Sequence, residues 1–197
     1  RCPLCRADPA TMSRVTIDRG VRSQDFEALY RRCAARPGTK ILAIYDHIRD
    51  LPAGEKILVV ASSLAFVRRI HRFLVEKGVP HLRVDSDTAM ARRHRNIRTF
   101  QESPEPRVML LTTSTGGKGI TLNRASRVLV AEVMPPSLEA QVIGRVDRLG
   151  QSRPVHIRRL VLRDSAESEM LRLRQHTHAT GAQIAQRYMR WLRSASC

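Results

Sequence analysis

Four consecutive aliphatic residues, Ile57-Leu58-Val59-Val60, interrupt a strongly charged chain without polar alternation. A strand with one wet face alternates, so an unbroken apolar run is expected of a central strand buried on both faces. Around it the sequence reads as strand Lys56 to Ala61, helix Leu64 to Lys77, strand His81 to Asp85, helix Ala89 to Phe100 and strand Arg107 to Leu111. A further strand, Arg127 to Glu132, leads through Pro135 and Pro136 to Ser137, which can N-cap a helix running to about Leu149, and Val155 to Leu162 reads as the last strand. Strands separated by helices imply an α/β fold: a parallel sheet covered by helices on both faces.

The 197 residues suffice for one good core and a small appendage. Residues 6 to 21 carry Pro9 and Gly20 and no clear periodicity, which reads as a linker, with a short helix from about Ser23 to Ala35. Pro37 and Gly38 break the chain, and Thr39 can cap a helix through Asp50 with Ile41, Leu42, Ile44, Tyr45 and Ile48 as its apolar stripe. From Ser165 onward, Met170, Leu171, Leu173, Ile184, Tyr188, Trp191 and Leu192 suggest a helical C-terminal extension interrupted near Gly181. The expected divisions are therefore 1–8, 9–37, 38–164 and 165–197.

The most informative stretch for chemistry is Thr112 to Gln151. Leu110 and Leu111 end an apolar run, and Thr113, Ser114, Thr115, Gly116, Gly117, Lys118 and Gly119 follow as mostly small or hydroxyl-bearing residues. Such a loop lets backbone N–H groups approach phosphates closely. Gln141, Arg145 and Arg148 then fall at i, i+4 and i+7, on one face of the expected helix. Arginine's planar fork and permanent charge suit it to a γ-phosphate whose charge spreads during transfer.

At these residues the chain resembles the second RecA-like lobe of Swi/Snf-type ATPases, which are superfamily-two helicase-like translocases. Their fifth motif, roughly T-K-A-G-G-E-G-I-N-L, is met here by Thr113 to Leu122 (TSTGGKGITL), and their sixth, Q-x-x-x-R-x-H-R-x-G-Q, by Gln141 to Gln151 (QVIGRVDRLGQ). Upstream, Lys56 to Leu74 looks like the fourth motif, and Leu82 to Phe100 like the L-R-L-D-G-S-T segment with Arg93 at the family's arginine position. The resemblance covers roughly residues 38 to 165. Val133, Met134, Pro135, Pro136 and Ser137 stand where the family carries W-W-N-P, Ser114 replaces a common lysine, Lys118 an acidic or apolar residue, and Ser86 and Asp87 stand where a glycine is usual. Asp147 replaces histidine between the two arginines, where it could pair with one of them.

The resemblance implies that ATP and Mg²⁺ are used between two lobes, with Arg145 and Arg148 as catalytic arginines, and Gly119 and Gln141 near the nucleotide. It places Thr113, Ser114, Gly116, Gly117, Lys118 and Arg93 along the backbone of duplex DNA, and implies a first RecA-like lobe as partner, supplied in cis or in trans. It further implies chromatin remodelling or DNA repair and a nuclear location. Neither a G-x-x-x-x-G-K-[ST] loop nor the family's Asp-Glu pair occurs in these 197 residues. The chain alone is therefore expected not to hydrolyse ATP. The alternative is a catalytically dead lobe that binds nucleic acid or a partner.

Composition agrees with a polyanion partner. The net charge is +17, from 35 basic and 18 acidic residues, and 31 of the 35 are arginine. With one tryptophan, three tyrosines and four phenylalanines, base stacking is poorly supplied and contacts should go mostly to phosphates. No apolar run approaches the ~20 residues needed to cross a bilayer, so no membrane role is expected. Nor does the start of the chain read as a signal peptide. Four irregularly spaced cysteines suggest a reducing compartment. Cys2 and Cys5 form a C-x-x-C pair that could grip zinc. C-P-x-C-R resembles the closing ligands of a RING finger, which one Swi/Snf subgroup carries between its lobes, and a RING would imply a ubiquitin-conjugating enzyme as partner. Stray free thiols and an independent metal or redox motif remain the other readings.

Overall fold

In the computed structural model, residues 38–115, 119–163, 165, 167–168 and 170–172 are described. Nine elements follow one another: α1 (Thr39–Arg49), β1 (Ile57–Ala61), α2 (Leu64–Glu76), β2 (His81–Val84), α3 (Met90–Glu102), β3 (Val108–Thr112), β4 (Arg127–Val130), α4 (Pro136–Val146) and β5 (His156–Arg159). The strands form one sheet in the order β2-β3-β1-β4-β5, and every pairing is parallel. The expected helix over Ser23 to Ala35, the cysteine pair Cys2 and Cys5, and most of the C-terminal extension lie outside the described residues.

The aliphatic run is the middle of this sheet. All five residues of β1 are buried, with β3 on one side and β4 on the other. Because side chains alternate across a strand, Ile57, Val59 and Ala61 join a core with α1 and α2 through Ile41, Ile44, Val67, Ile70 and Leu74. Leu58 and Val60 join the opposite core with Phe100 of α3 and Val142 and Val146 of α4. The helices thus cover both faces, as the sequence predicts.

Local chemistry sets the element ends. Ser63 caps α2, its hydroxyl accepting from Phe66 N–H at 3.2 Å. Gly78, at φ +66°, ends α2 with Gly78 N–H to Val75 C=O and Val79 N–H to Leu74 C=O, the paired bonds of a Schellman turn. Ser137 is not the cap of α4: the helix begins one residue earlier, with Pro136 in its first turn, where the missing N–H costs nothing. Likewise Gly38, not Thr39, precedes α1, and Leu42 of the expected apolar stripe is exposed.

Two lysines fasten the layers from inside. Lys56 Nζ donates to Phe100 C=O (2.6 Å) and Ser103 C=O (2.5 Å) and lies 4.9 Å from the Phe100 ring centroid, tying the start of β1 to the end of α3. Burial pushes its pKa down. Lys40 donates to Ala131 C=O (2.7 Å) and pairs with Glu167 (2.5 Å), holding α1 to the end of β4 and to the chain beyond β5.

Candidate nucleotide and nucleic-acid site

Parallel strands bring their carboxyl ends, and the loops that follow them, to one edge of the sheet. After β2, Asp85 is fully buried and organises a turn: its Oδ1 accepts from Thr88 Oγ1 (2.9 Å) and Asp87 N–H (3.1 Å), and Arg83 Nε lies 2.9 Å from Oδ2. Arg93, in the first turns of α3, donates Nη2 to Asp85 C=O at 3.3 Å, while its buried Nε has no partner among the described residues.

After β3, the turn Thr113–Thr115 is knitted by hydroxyls. Thr115 Oγ1 lies 2.7 Å from Thr112 Oγ1 and within reach of the carbonyls of Thr112 (3.0 Å) and Val84 (3.2 Å), which share its one proton. Thr113 and Thr115 are therefore buried, and Ser114 is the exposed member. Of the sequence-predicted backbone contacts, Ser114 and Arg93 are brought to the same edge and Thr113 is turned inward. Gly116, Gly117 and Lys118 lie outside the described residues.

After β1 and β4 the outgoing helices take opposite faces, which makes this the crevice where open α/β sheets bind ligands. Here a side chain of the protein fills it. Glu132 Oε2 accepts from Ser62 N–H (2.8 Å), Ser63 N–H (2.8 Å) and Ser62 Oγ (3.0 Å), placing a carboxylate at the N-terminus of α2. Sequence reasoning missed this residue, which lies beside the departure from W-W-N-P. Its sequence signal is an acidic residue two positions past a buried strand.

The two arginines behave differently from one another. Arg145 is 9% exposed, donates Nη1 to Ile120 C=O at 3.3 Å, and its buried Nε has no partner among the described residues. Burial, and secondarily the nearby Arg148 charge, lowers its pKa. Gln141, one turn earlier, is exposed. The two diverge because the segment 119–122 lies over the last turn of α4, where Leu122 N–H bonds Arg145 C=O at 2.8 Å. Arg148 lies beyond the helix, which ends at Val146 rather than near Leu149. It is exposed and donates to Thr121 Oγ1 at 3.2 Å. Asp147 is also exposed and makes no ion pair with either arginine. Gly119 has φ +61°, a left-handed conformation that glycine adopts freely, with open space around it.

This region therefore carries two guanidinium groups, three residues apart in sequence, with no carboxylate partner among the described residues, beside a glycine-bearing loop. Among the described residues no group of three or more His, Cys, Asp or Glu could hold a metal ion. No helix among them is long and apolar enough to cross a membrane.

Comparison with known proteins matches residues 39–150 to the helicase conserved C-terminal domain. The human helicase-like transcription factor is 31% identical over 179 residues, covering 88% of this chain and 18% of that protein. The mouse DNA excision repair protein ERCC-6-like is 33% identical over 134 residues, 67% of this chain and 11% of that protein. A rice SNF2 domain-containing protein, ENL1, is 32% identical over 121 residues. Among solved structures, the C-terminal part of the Fun30 ATPase domain superimposes with a TM-score of 0.66 at 26% identity, covering 74% of this chain and 48% of that one. The chain thus spans about a fifth or less of these curated relatives' length, and it shares their RecA-like fold.

Proposed function

Since the chain belongs to the helicase conserved C-terminal domain family, with relatives of Swi/Snf type, we propose that it is the second motor lobe of a DNA-dependent ATPase and translocase. One observation carries this reading: among the described residues Arg145 keeps a buried guanidinium with no carboxylate beside it and one unpartnered donor, next to the exposed Arg148. A buried cation left short of acceptors is stabilised by an arriving anion, and the γ-phosphate of ATP bound against a first lobe is an anion of suitable geometry.

In this reading Arg145 binds and orients the γ-phosphate from a fixed position. Arg148, whose one side-chain hydrogen bond among the described residues is to Thr121, swings onto it as the lobes close. Gly119 gives the backbone room beside the nucleotide, and Gln141 contacts it from the exposed face of α4. ATP is the substrate. Mg²⁺ would neutralise its phosphates, held by acidic residues of the first lobe. Ser114, Arg93 and the 116–118 segment follow the DNA backbone, with Thr113 fixing the turn from below. The work served is chromatin remodelling or DNA repair, words that stand in the names of mouse and Arabidopsis relatives, and its place is the nucleus, where chromatin lies. A zinc-binding RING remnant at Cys2 and Cys5, with a ubiquitin-conjugating enzyme as partner, rests on the sequence spacing alone.

The test is ATP turnover with and without duplex DNA, for the 197 residues alone and for the full-length product of its gene. DNA-stimulated hydrolysis in the full product, abolished by Arg148→Ala, is expected. Turnover absent from both, with salt-sensitive DNA binding retained, would replace the motor with a binding module.

A further inference from the structure

The opposite edge of the sheet, where the strands begin, holds a second site. A cleft of about 340 Å³ opens on the face covered by α1, between the end of that helix and strands β4 and β5. Its origin is geometric. β5 is the edge strand, and Ile157 packs into the α4 core, so the alternate residues His156 and Arg158 face the α1 side. α1 ends at Arg49 and the chain turns back through Leu51 and Pro52, leaving the start of β5 uncovered. His47, Leu51, Pro52 and Leu129 contribute walls and floor, and Arg127, His156 and Arg158 the polar lining.

The charges around this cleft are unevenly compensated. Arg127 is bound by Glu55 through Nε and Nη2, and that contact holds the Glu55 carboxyl below the usual carboxylate range. Asp50, the one acid in the lining, is drawn to Arg49 Nε at 3.1 Å. Arg153, just outside, donates to Gly54 C=O at 2.8 Å and has no carboxylate among the described residues. Arg158 is the exception within the cleft. Among the described residues its one side-chain contact is Nη1 to His47 Nδ1 at 3.5 Å, so nearly the whole donor fork is left without a partner there. A guanidinium fork facing a partly apolar recess, flanked by two imidazoles, matches a compact tetrahedral oxyanion attached to a small organic body. Duplex DNA, about 20 Å across, cannot enter a recess of this size.

We propose that this cleft binds a small phosphate-bearing molecule, with Arg158 as the anchoring fork and His47 and His156 as flanking hydrogen-bond donors. The site is separate from the Arg145–Arg148 pair, which packs with α4 on the other face of the sheet. It does not depend on the motor reading.

The experiment is titration calorimetry of inorganic pyrophosphate into the 197-residue chain at low salt, for the wild type, Arg158→Gln, Arg158→Lys and, as a control outside both sites, Arg98→Gln on the exposed face of α3. Saturable binding, weakened about tenfold by Arg158→Gln, partly retained by Arg158→Lys and unaffected by Arg98→Gln, is expected. Three outcomes overturn the proposal: no saturable binding by the wild type, equal affinity in Arg158→Gln, or an equal loss in Arg98→Gln. A fourth does so as well, if Arg158→Gln weakens a short duplex while leaving pyrophosphate unchanged. Arg158 is exposed, so the melting temperature of its variants should match the wild type and certify that they are folded.

Discussion

Replacing Arg145 with methionine separates a residue kept for ligand binding from one kept for stability. The structural account of Arg145 would be that it clamps the 119–122 segment through Ile120 C=O. That bond is long, at 3.3 Å, and its loss is worth about 1 kcal/mol. Against it stands the buried Nε without a partner, an orphaned donor that costs about 1–3 kcal/mol. Methionine keeps an unbranched stem of similar length and leaves no donor to satisfy, and the backbone bond from Leu122 N–H to Arg145 C=O is untouched. The difference predicts that Arg145→Met is neutral to about 2 kcal/mol more stable. At roughly 2–4 °C per kcal/mol for a chain of this size, the melting temperature should stay level or rise by up to ~8 °C. Thermal denaturation followed by circular dichroism measures this, with the exposed Arg148→Met as control, expected within about 0.5 kcal/mol of wild type. In the full-length protein the same Arg145→Met should lower DNA-stimulated ATP turnover by about 10³-fold or more. A drop in melting temperature of ~4 °C or more would refute the reasoning, because Arg145 would then be a clamp rather than a poised cation.

Glu132→Ala leaves the Ser62 and Ser63 N–H groups without their acceptor at the start of α2, and should cost about 1–2 kcal/mol in urea denaturation. Glu132→Gln, which keeps an acceptor oxygen, should lose about half of that; equal losses would mean the charge, not the hydrogen bonds, carries the effect. Burial is the leading cause that holds the pKa values of His71 and His81 down, so the folded state binds fewer protons than the unfolded state below an unfolded histidine pKa of about 6.5. Their contribution is therefore complete above that pH and declines as the pH falls through it. A urea midpoint measured from pH 8 to pH 5 should fall, and His81→Gln should flatten the decline. Gly150→Ala should lower the melting temperature by several degrees, since φ is +93° and a Cβ would meet Asn123 Nδ2 at 2.8 Å. Duplex affinity should fall steeply between 50 and 200 mM salt, and Arg93→Ala should reduce the log–log salt slope by about one; an unchanged slope would remove Arg93 from the DNA track.

Periodicity and composition made the layered architecture legible. The unbroken run Ile57 to Val60 identified the central strand, and all five strands fall within one to three residues of their expected bounds. The errors lie where a distant residue decides. α4 stops at Val146 because Gln151 reaches back, its amide donating to Val146 C=O (3.2 Å) and Ala125 C=O (2.8 Å), a contact that exists only once the chain has folded over itself. The family's terminal glutamine is visible in the sequence, but not its role as the stop of the helix. Helical spacing put Gln141 and Arg145 on one face, and the 119–122 segment, crossing only the last turn, buried one and left the other in water. The expected Asp147 pairing fails for the same reason: both arginines are turned toward the 120–121 backbone and hydroxyl, and Asp147 is turned to solvent.

A net charge of +17 predicts attraction to polyanions without saying where. The folded chain sorts its charges into two kinds. Lys40, Arg127 and Arg159 are held by Glu167, Glu55 and Glu139, and Asp85 and Glu132 are occupied by the turns they organise. Those groups have their counter-charges or donors inside the protein and gain little from a ligand. Among the described residues Arg145, Arg148 and Arg158 contact only carbonyl, hydroxyl or imidazole acceptors, so each keeps donors without a carboxylate there. At the buried Arg145 an unused donor is costly, and at the exposed Arg148 and Arg158 an anion adds a charge-assisted pair that the described residues do not supply. The places where a strongly basic chain fails to neutralise itself are thus better indicators of binding than the places where basic residues are densest. By that criterion the two proposed anion sites lie on separate faces of this sheet, one at the end of α4 and one at the start of β5.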